Sequence, residues 1–154
     1  MHNPHRFTTE LAWTGNRGTG TSSYRAYGRD HEITAPGKTL AIPASSTPAF
    51  RGDAGRYNPE ELLIGSLSGC HMLWFLHLCA QAGITVTAYA DNAEGTMHVN
   101  GDGSGEFTEV VLHPRAQYAQ APAREQIEKL HHRAHELCFI ARSVNFPVRC
   151  NPES

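Results

Sequence analysis

No basic block and no acidic tail occurs in this sequence. Lys and Arg number 13 against 15 Asp and Glu, a formal net charge of −2 over 154 residues. A chain so balanced lacks the electrostatic footprint of a nucleic-acid binder, and no nucleic-acid partner is expected. The N-terminal stretch MHNPHRFTTE has no apolar segment of the kind a secretory signal needs. The four cysteines include no CxxC pair and are too few and too scattered for a disulfide-stapled secreted domain. The expected compartment is therefore the cytoplasm, where thiols stay reduced unless they are buried or employed. No internal repeat is found, and the length suits a single domain over residues 1–154. What is abundant is apolar residues, at 40 %, enough for a core and too many for a disordered chain.

The first third reads as short strands. Phe7, Thr9, Leu11 and Trp13 share one parity, as on one face of a strand. TGNRGTGT, residues 14–21, is a loop. Ser23 to Tyr27 and His31 to Thr34 are further strand candidates, and Pro36-Gly37 marks a tight turn. Residues 43–57, PASSTPAFRGDAGRY, form a Pro-, Ser- and Gly-rich loop that carries Arg51 and Arg56.

A long helix follows. Asn58 is a good N-cap, Pro59 suits the first helical position, Glu61 stands where a capping-box acid belongs, and Gly83 ends the run. Leu62 to Ala80 is long enough to span a bilayer, but Gly65, Ser66, Ser68, Gly69, His71 and His77 interrupt it. A buried helix of a soluble protein, with no membrane partner, is the better reading. The helix is apolar nearly all round and must be covered on every side, which predicts a homodimer. Alternation from Ile84 to Ala90 predicts a strand. NGDGSG, residues 100–105, joins Thr96–Val99 to Phe107–Leu112 as a hairpin. Residues 123–142 predict a second helix with Ile127, Leu130, Ala134, Leu137 and Ala141 on its apolar face, and Val144, Phe146 and Val148 a last strand. The order predicts an α+β fold with mainly antiparallel sheet.

Cys70 lies in the middle of the long helix, as either a small core residue or a reactive thiol. An apolar setting makes a thiol inert, and the helix dipole acts mainly near helix ends. A reactive Cys70 therefore needs a cation brought to it. His71 points about 100° away around the helix, so an arginine of the 43–57 loop is the better source. Cys138, on the second helix, approaches Cys70 if the two helices pack; its alternative is core packing. Cys79 reads as packing and Cys150 as an incidental tail residue. Glu60 in the first helical turn is favourable through the dipole alone. His131, His135 and Cys138 fall on one helical face at zinc-ligand spacing, with His132 nearby. On a charged face such histidines read as solvated, and no metal is expected.

NPEELLIGSLSGC, residues 58–70, resembles the central helix of the OsmC/Ohr family, the osmotically inducible and organic-hydroperoxide-resistance proteins. AHELCFIARSV, residues 134–144, resembles that family's second-cysteine helix. Two positions depart from the pattern: His71 follows the first cysteine where the family often has an aromatic residue, and Phe139 follows the second where proline is common. The resemblance implies an intertwined homodimer around the long helix and a thiol-dependent peroxidase without metal, flavin or other cofactor. It implies that Cys70 reduces an organic hydroperoxide and becomes a sulfenic acid, that Cys138 resolves it as a disulfide, and that a lipoyl-type or other dithiol reduces the disulfide. It further implies an arginine held by Glu60, best matched by Arg51 and next by Arg56. Glu60 and Cys70 are ten residues apart, about 15 Å along one helix, so Glu60 and Arg51 of one subunit are expected to serve Cys70 of the other. The alternative from another class is a binding protein on the same scaffold, taking an apolar ligand or a metal, with cysteines as packing. Sulfurs held far apart would favour it.

Overall fold

A computed structural model describes residues 3–153. The chain divides into two units, Met1–Leu62 and Leu63–Ser154. In the first, β1 (Glu10–Trp13), β2 (His31–Thr34) and β3 (Ile42–Ala44) form an antiparallel sheet in the order β1-β2-β3. Pro36-Gly37 makes the expected tight turn, with Gly37 at φ +77°. Ser23 to Tyr27 is not a strand but a turn, closed by the Ala26 N–H on the Ser23 carbonyl. The Arg29 guanidinium bonds the carbonyls of Tyr24 and Tyr27 and stacks on both rings, so these backbone groups are taken up locally. The 43–57 segment is also more ordered than a loop. Ala44 ends β3 and bridges to Tyr57 in parallel, and Pro48–Phe50 is a 3-10 turn.

The long helix α1 runs over Pro59–Gln81. Its start is a reciprocal capping box: the Glu61 N–H donates to Asn58 Oδ1 at 2.8 Å, and the Asn58 N–H donates to Glu61 Oε2 at 3.3 Å. Gly83, at φ +73°, ends it in the left-handed conformation that glycine adopts without strain. Asn58→Ala removes one of the two cap bonds and is expected to cost about 1 kcal/mol of stability, read from urea unfolding. Glu61→Gln, which keeps an acceptor, is expected to cost less.

The second unit holds β4 (Val86–Asp91), β5 (Glu94–Val99), β6 (Gly105–Leu112), β7 (Pro114–Tyr118), α2 (Arg124–Leu137) and β8 (Val148–Cys150). β4 and β7 pair antiparallel, β5 and β6 form the expected hairpin, and β8 adds in parallel to β6. The strand β7 alternates, with Pro114, Ala116 and Tyr118 turned inward and Arg115 and Gln117 exposed, and its Pro114 sits at the first strand position, where a missing donor is tolerated. The second helix ends earlier than its apolar spacing predicts. Cys138 is its extended C-cap, not a helical residue, and Ala141–Ser143 form a separate 3-10 turn.

The core forms around α1 and consists of two clusters. Leu67 packs with Val110, Leu112 and Val148, while Phe75 and Cys79 pack with Ala134 of α2. Gly95 fits under Ile64 and Phe107, where an added Cβ would come within 2.6 and 2.7 Å of their side chains. Only one line of α1 is fully buried: Leu67, His71, Phe75 and Cys79, spaced by four. The all-round cover expected for this helix is not supplied by its own chain, and Leu73 is 65 % exposed.

Candidate functional site

The two cysteines that the sequence pairs come together. Cys70 lies on α1, half-buried, and Cys138 is buried just past the end of α2. Their thiols are within hydrogen-bonding reach of each other. Burial pushes the Cys138 thiol up to about 11, a rise opposed by the Ala141 N–H, which donates to Cys138 Sγ at 3.4 Å, and increased by the hydrogen bond to Cys70. Cys138 thus keeps its proton at neutral pH. Separated sulfurs, the arrangement that would favour a mere binding scaffold, are not what is found.

Cys70 opens onto a cavity of about 360 Å³ lined by Leu73, Trp74, His77 and Phe139, nearly all of it apolar. Trp74 meets Phe139 edge to face, with ring centroids 5.5 Å apart. Trp74 and Phe139 therefore wall the cavity. Phe75 is not part of that wall: it is fully buried and stacks on His131 at 3.9 Å. Burial also raises the Cys79 thiol to about 11, consistent with packing alone.

The loop arginines differ in their commitments. Arg56 bonds Glu32 Oε1 at 3.1 Å, lies 3.4 Å from Asp30 Oδ2, and donates to the His31 carbonyl at 3.3 Å. Arg51 makes no ion pair among the described residues. It holds a left-handed backbone at φ +64° and lines a polar cleft of about 320 Å³ with Arg17, Arg29, Asp30 and Asp53. Glu60 makes no ion pair among the described residues either, so the expected Glu60–Arg51 pair is not made within one chain.

A second cluster was not anticipated. His131, expected to be solvated, is buried at 4 % exposure, and His71 at 1 %. Their rings are parallel, and His71 Nε2 lies 3.0 Å from His131 Nδ1. Cys150 Sγ lies 3.5 Å from the first nitrogen and 3.9 Å from the second. Burial lowers both histidines to about 4, with the neighbouring histidine charges acting in the same direction, so both rings are neutral at pH 7. The set His131, His135 and Cys138 is not assembled, because Cys138 leaves the helix before its turn completes that face. The signal that would have revealed the cluster is the four-residue spacing of Leu67, His71, Phe75 and Cys79. In a helix apolar all round, that stripe does not stand out.

The family model described as OsmC-like protein matches residues 52–153. An OsmC-like protein of unknown function from Vibrio cholerae is 32 % identical, with 97 % of this chain and 100 % of that one covered and a TM-score of 0.89. An organic hydroperoxide resistance protein from Elizabethkingia anophelis, with thiocyanate bound, is 16 % identical over 100 % of this chain and 99 % of that one, at a TM-score of 0.73. A Vibrio cholerae structure described as an organic hydroperoxide resistance protein, with captopril in one of its active sites, is 20 % identical over 99 % and 92 % of the two chains, at a TM-score of 0.67. No curated protein matches the chain.

Proposed function

We propose that this chain, which belongs to the OsmC-like protein family, is a thiol-dependent peroxidase that reduces organic hydroperoxides and protects against oxidative stress. The observation that carries this reading is Cys70 on the wall of an apolar cavity with the Cys138 thiol beside it. Structural neighbours named for organic hydroperoxide resistance support the same chemistry.

In the reaction, the Cys70 thiolate attacks the peroxide. A sulfur–oxygen bond forms, the O–O bond breaks, and the alkoxide leaves, taking up a proton to become the alcohol. Cys138 then attacks the sulfenic sulfur; the S–S bond forms and the hydroxyl departs with the Cys138 proton as water. An external dithiol of the lipoyl class exchanges with the disulfide and is itself oxidised, restoring both thiols. Trp74, Leu73 and Phe139 favour a hydroperoxide with an apolar body over hydrogen peroxide.

Arg51 supplies the cation. Its guanidinium lies over the Tyr24 ring, 5.9 Å from the centroid, and makes no ion pair among the described residues, whereas Arg56 is already engaged by Asp30 and Glu32. Arg51 of one subunit acts on Cys70 of the other, and its bidentate pair with Glu60, absent from the single chain, forms in the assembled dimer. The exposed apolar side of α1, with Leu73, and the exposed Leu11, Trp13 and Ile42 of the first sheet support a homodimer. Four free thiols suit the cytoplasm. No metal or other cofactor takes part in this reaction.

The test is a thiol titration of the reduced protein before and after one equivalent of cumene hydroperoxide. The four free thiols are expected to fall to two, and a lipoyl dithiol to bring the number back to four. A count that stays at four after the peroxide overturns the reading.

A further inference from the structure

We propose that His71, His131 and Cys150 form a zinc site, with His71 Nε2, His131 Nδ1 and Cys150 Sγ as the three protein ligands. The three residues come from α1, α2 and β8, far apart in sequence, yet these atoms all lie within 4.8 Å of one another. A tetrahedral zinc with Zn–N near 2.05 Å and Zn–S near 2.3 Å needs donor separations of about 3.4 Å between nitrogens and about 3.6 Å between nitrogen and sulfur. The separations here are 3.0, 3.5 and 3.9 Å, so shifts of a few tenths of an ångström, with a turn of the two rings out of their head-on contact, make the fit.

Simple core packing explains the arrangement less well. One hydrogen bond between the two rings would satisfy the buried nitrogens, without bringing a cysteine to the same point. Among the described residues, one buried side-chain oxygen or nitrogen has no partner: the Tyr89 hydroxyl. It lies within electrostatic reach of both Cys150 and Asp91 and belongs to the shell around the cluster, since Tyr89 packs on Phe75, which stacks on His131. His131 and Cys150 also line a cavity of about 520 Å³ together with Glu128 and His135, which leaves room for a water as fourth ligand.

The donor set selects the ion. Two imidazoles and a thiolate suit zinc better than calcium or magnesium, which take oxygen. Zinc displaces the thiol proton of Cys150 and releases it to solvent. The two imidazoles stay neutral and carry their remaining protons on His71 Nδ1 and His131 Nε2. No electron is transferred. The site is separate from the Cys70 cavity, whose walls share no residue with this cluster or with the 520 Å³ cavity.

The test uses the full-length reduced protein titrated with Zn²⁺ against a chromophoric chelator. One zinc per chain is expected, and Cys150→Ser should weaken binding by more than about 100-fold. The double variant Cys70→Ser/Cys138→Ser should bind as the wild type does. X-ray absorption at the zinc edge of the wild type should give two imidazole nitrogens and one sulfur, which settles the ligand set even if Cys150→Ser fails to fold. Absence of stoichiometric binding overturns the proposal. So does binding that survives Cys150→Ser, or a two-sulfur shell lost in the double variant, which would place the metal on the Cys70–Cys138 pair.

Discussion

Cys70→Ser is expected to lower the rate of organic hydroperoxide reduction a thousandfold or more, the scale on which removal of a covalent nucleophile is felt. A serine hydroxyl keeps the size of the side chain but supplies no thiolate, and it is the thiolate that attacks peroxide oxygen. Cys138→Ser is expected to behave differently. Its first turnover proceeds, because Cys70 remains, but the sulfenic acid then has no neighbour to condense with and steady-state turnover stops. A sulfenic-acid trap should label Cys138→Ser after one equivalent of peroxide, and label neither Cys70→Ser nor the wild type. The distinction follows from the geometry: Cys138 is buried, holds its proton, and reaches the peroxide only through Cys70. If both variants sustain full dithiol-dependent turnover, the chemistry lies elsewhere and the pair is packing.

How far the sequence carried this site depends on which physical signal each element leaves. The Asn58–Glu61 cap and Gly83 bound α1 because capping chemistry is local and residue-specific. The β5–β6 hairpin was readable for the same reason, its turn residues being enough. The turn at Ser23–Tyr27 was not, since its cause is the Arg29 guanidinium lying over the rings of Tyr24 and Tyr27. Nor was the exit of Cys138 from α2, because the apolar spacing continues past the point where the backbone turns extended. The sequence paired Cys70 with Cys138 through a resemblance, not through spacing. For His71, His131 and Cys150 there was no comparable guide: a parallel strand pairing, Leu112 with Cys150, brings the last of them in.

The two loop arginines should separate cleanly. Arg51→Ala is expected to reduce kcat/KM by about 100-fold or more, the cost of removing a charge that stabilises the reacting centre, with little change in Tm. Alanine keeps the Cβ at φ +64°, so the backbone strain already present is neither relieved nor increased. Arg51→Lys should recover only part of the loss, because an ammonium is a point charge without the bidentate fork that Glu60 would grip. Arg56→Ala should do the reverse. It leaves Asp30 and Glu32 without their cation and removes the guanidinium's bond to the His31 carbonyl, costing about 1–3 kcal/mol of stability with activity per folded molecule retained.

The subunit that Arg51 serves is decided by mixing. Neither Cys70→Ser nor Arg51→Ala homodimers should turn over appreciably. A heterodimer of the two contains one site with an intact Cys70 from one chain and an intact Arg51 from the other, if the arginine acts across the interface. Random exchange of subunits should then restore about a quarter of wild-type activity, since half the dimers are mixed and each has one working site of two. An arginine acting within its own chain leaves every site in the mixture incomplete, and activity stays at the level of the parents. The helix itself favours the first outcome: Glu60 stands about 15 Å along α1 from Cys70, farther than a guanidinium bound to that carboxylate would span within one chain.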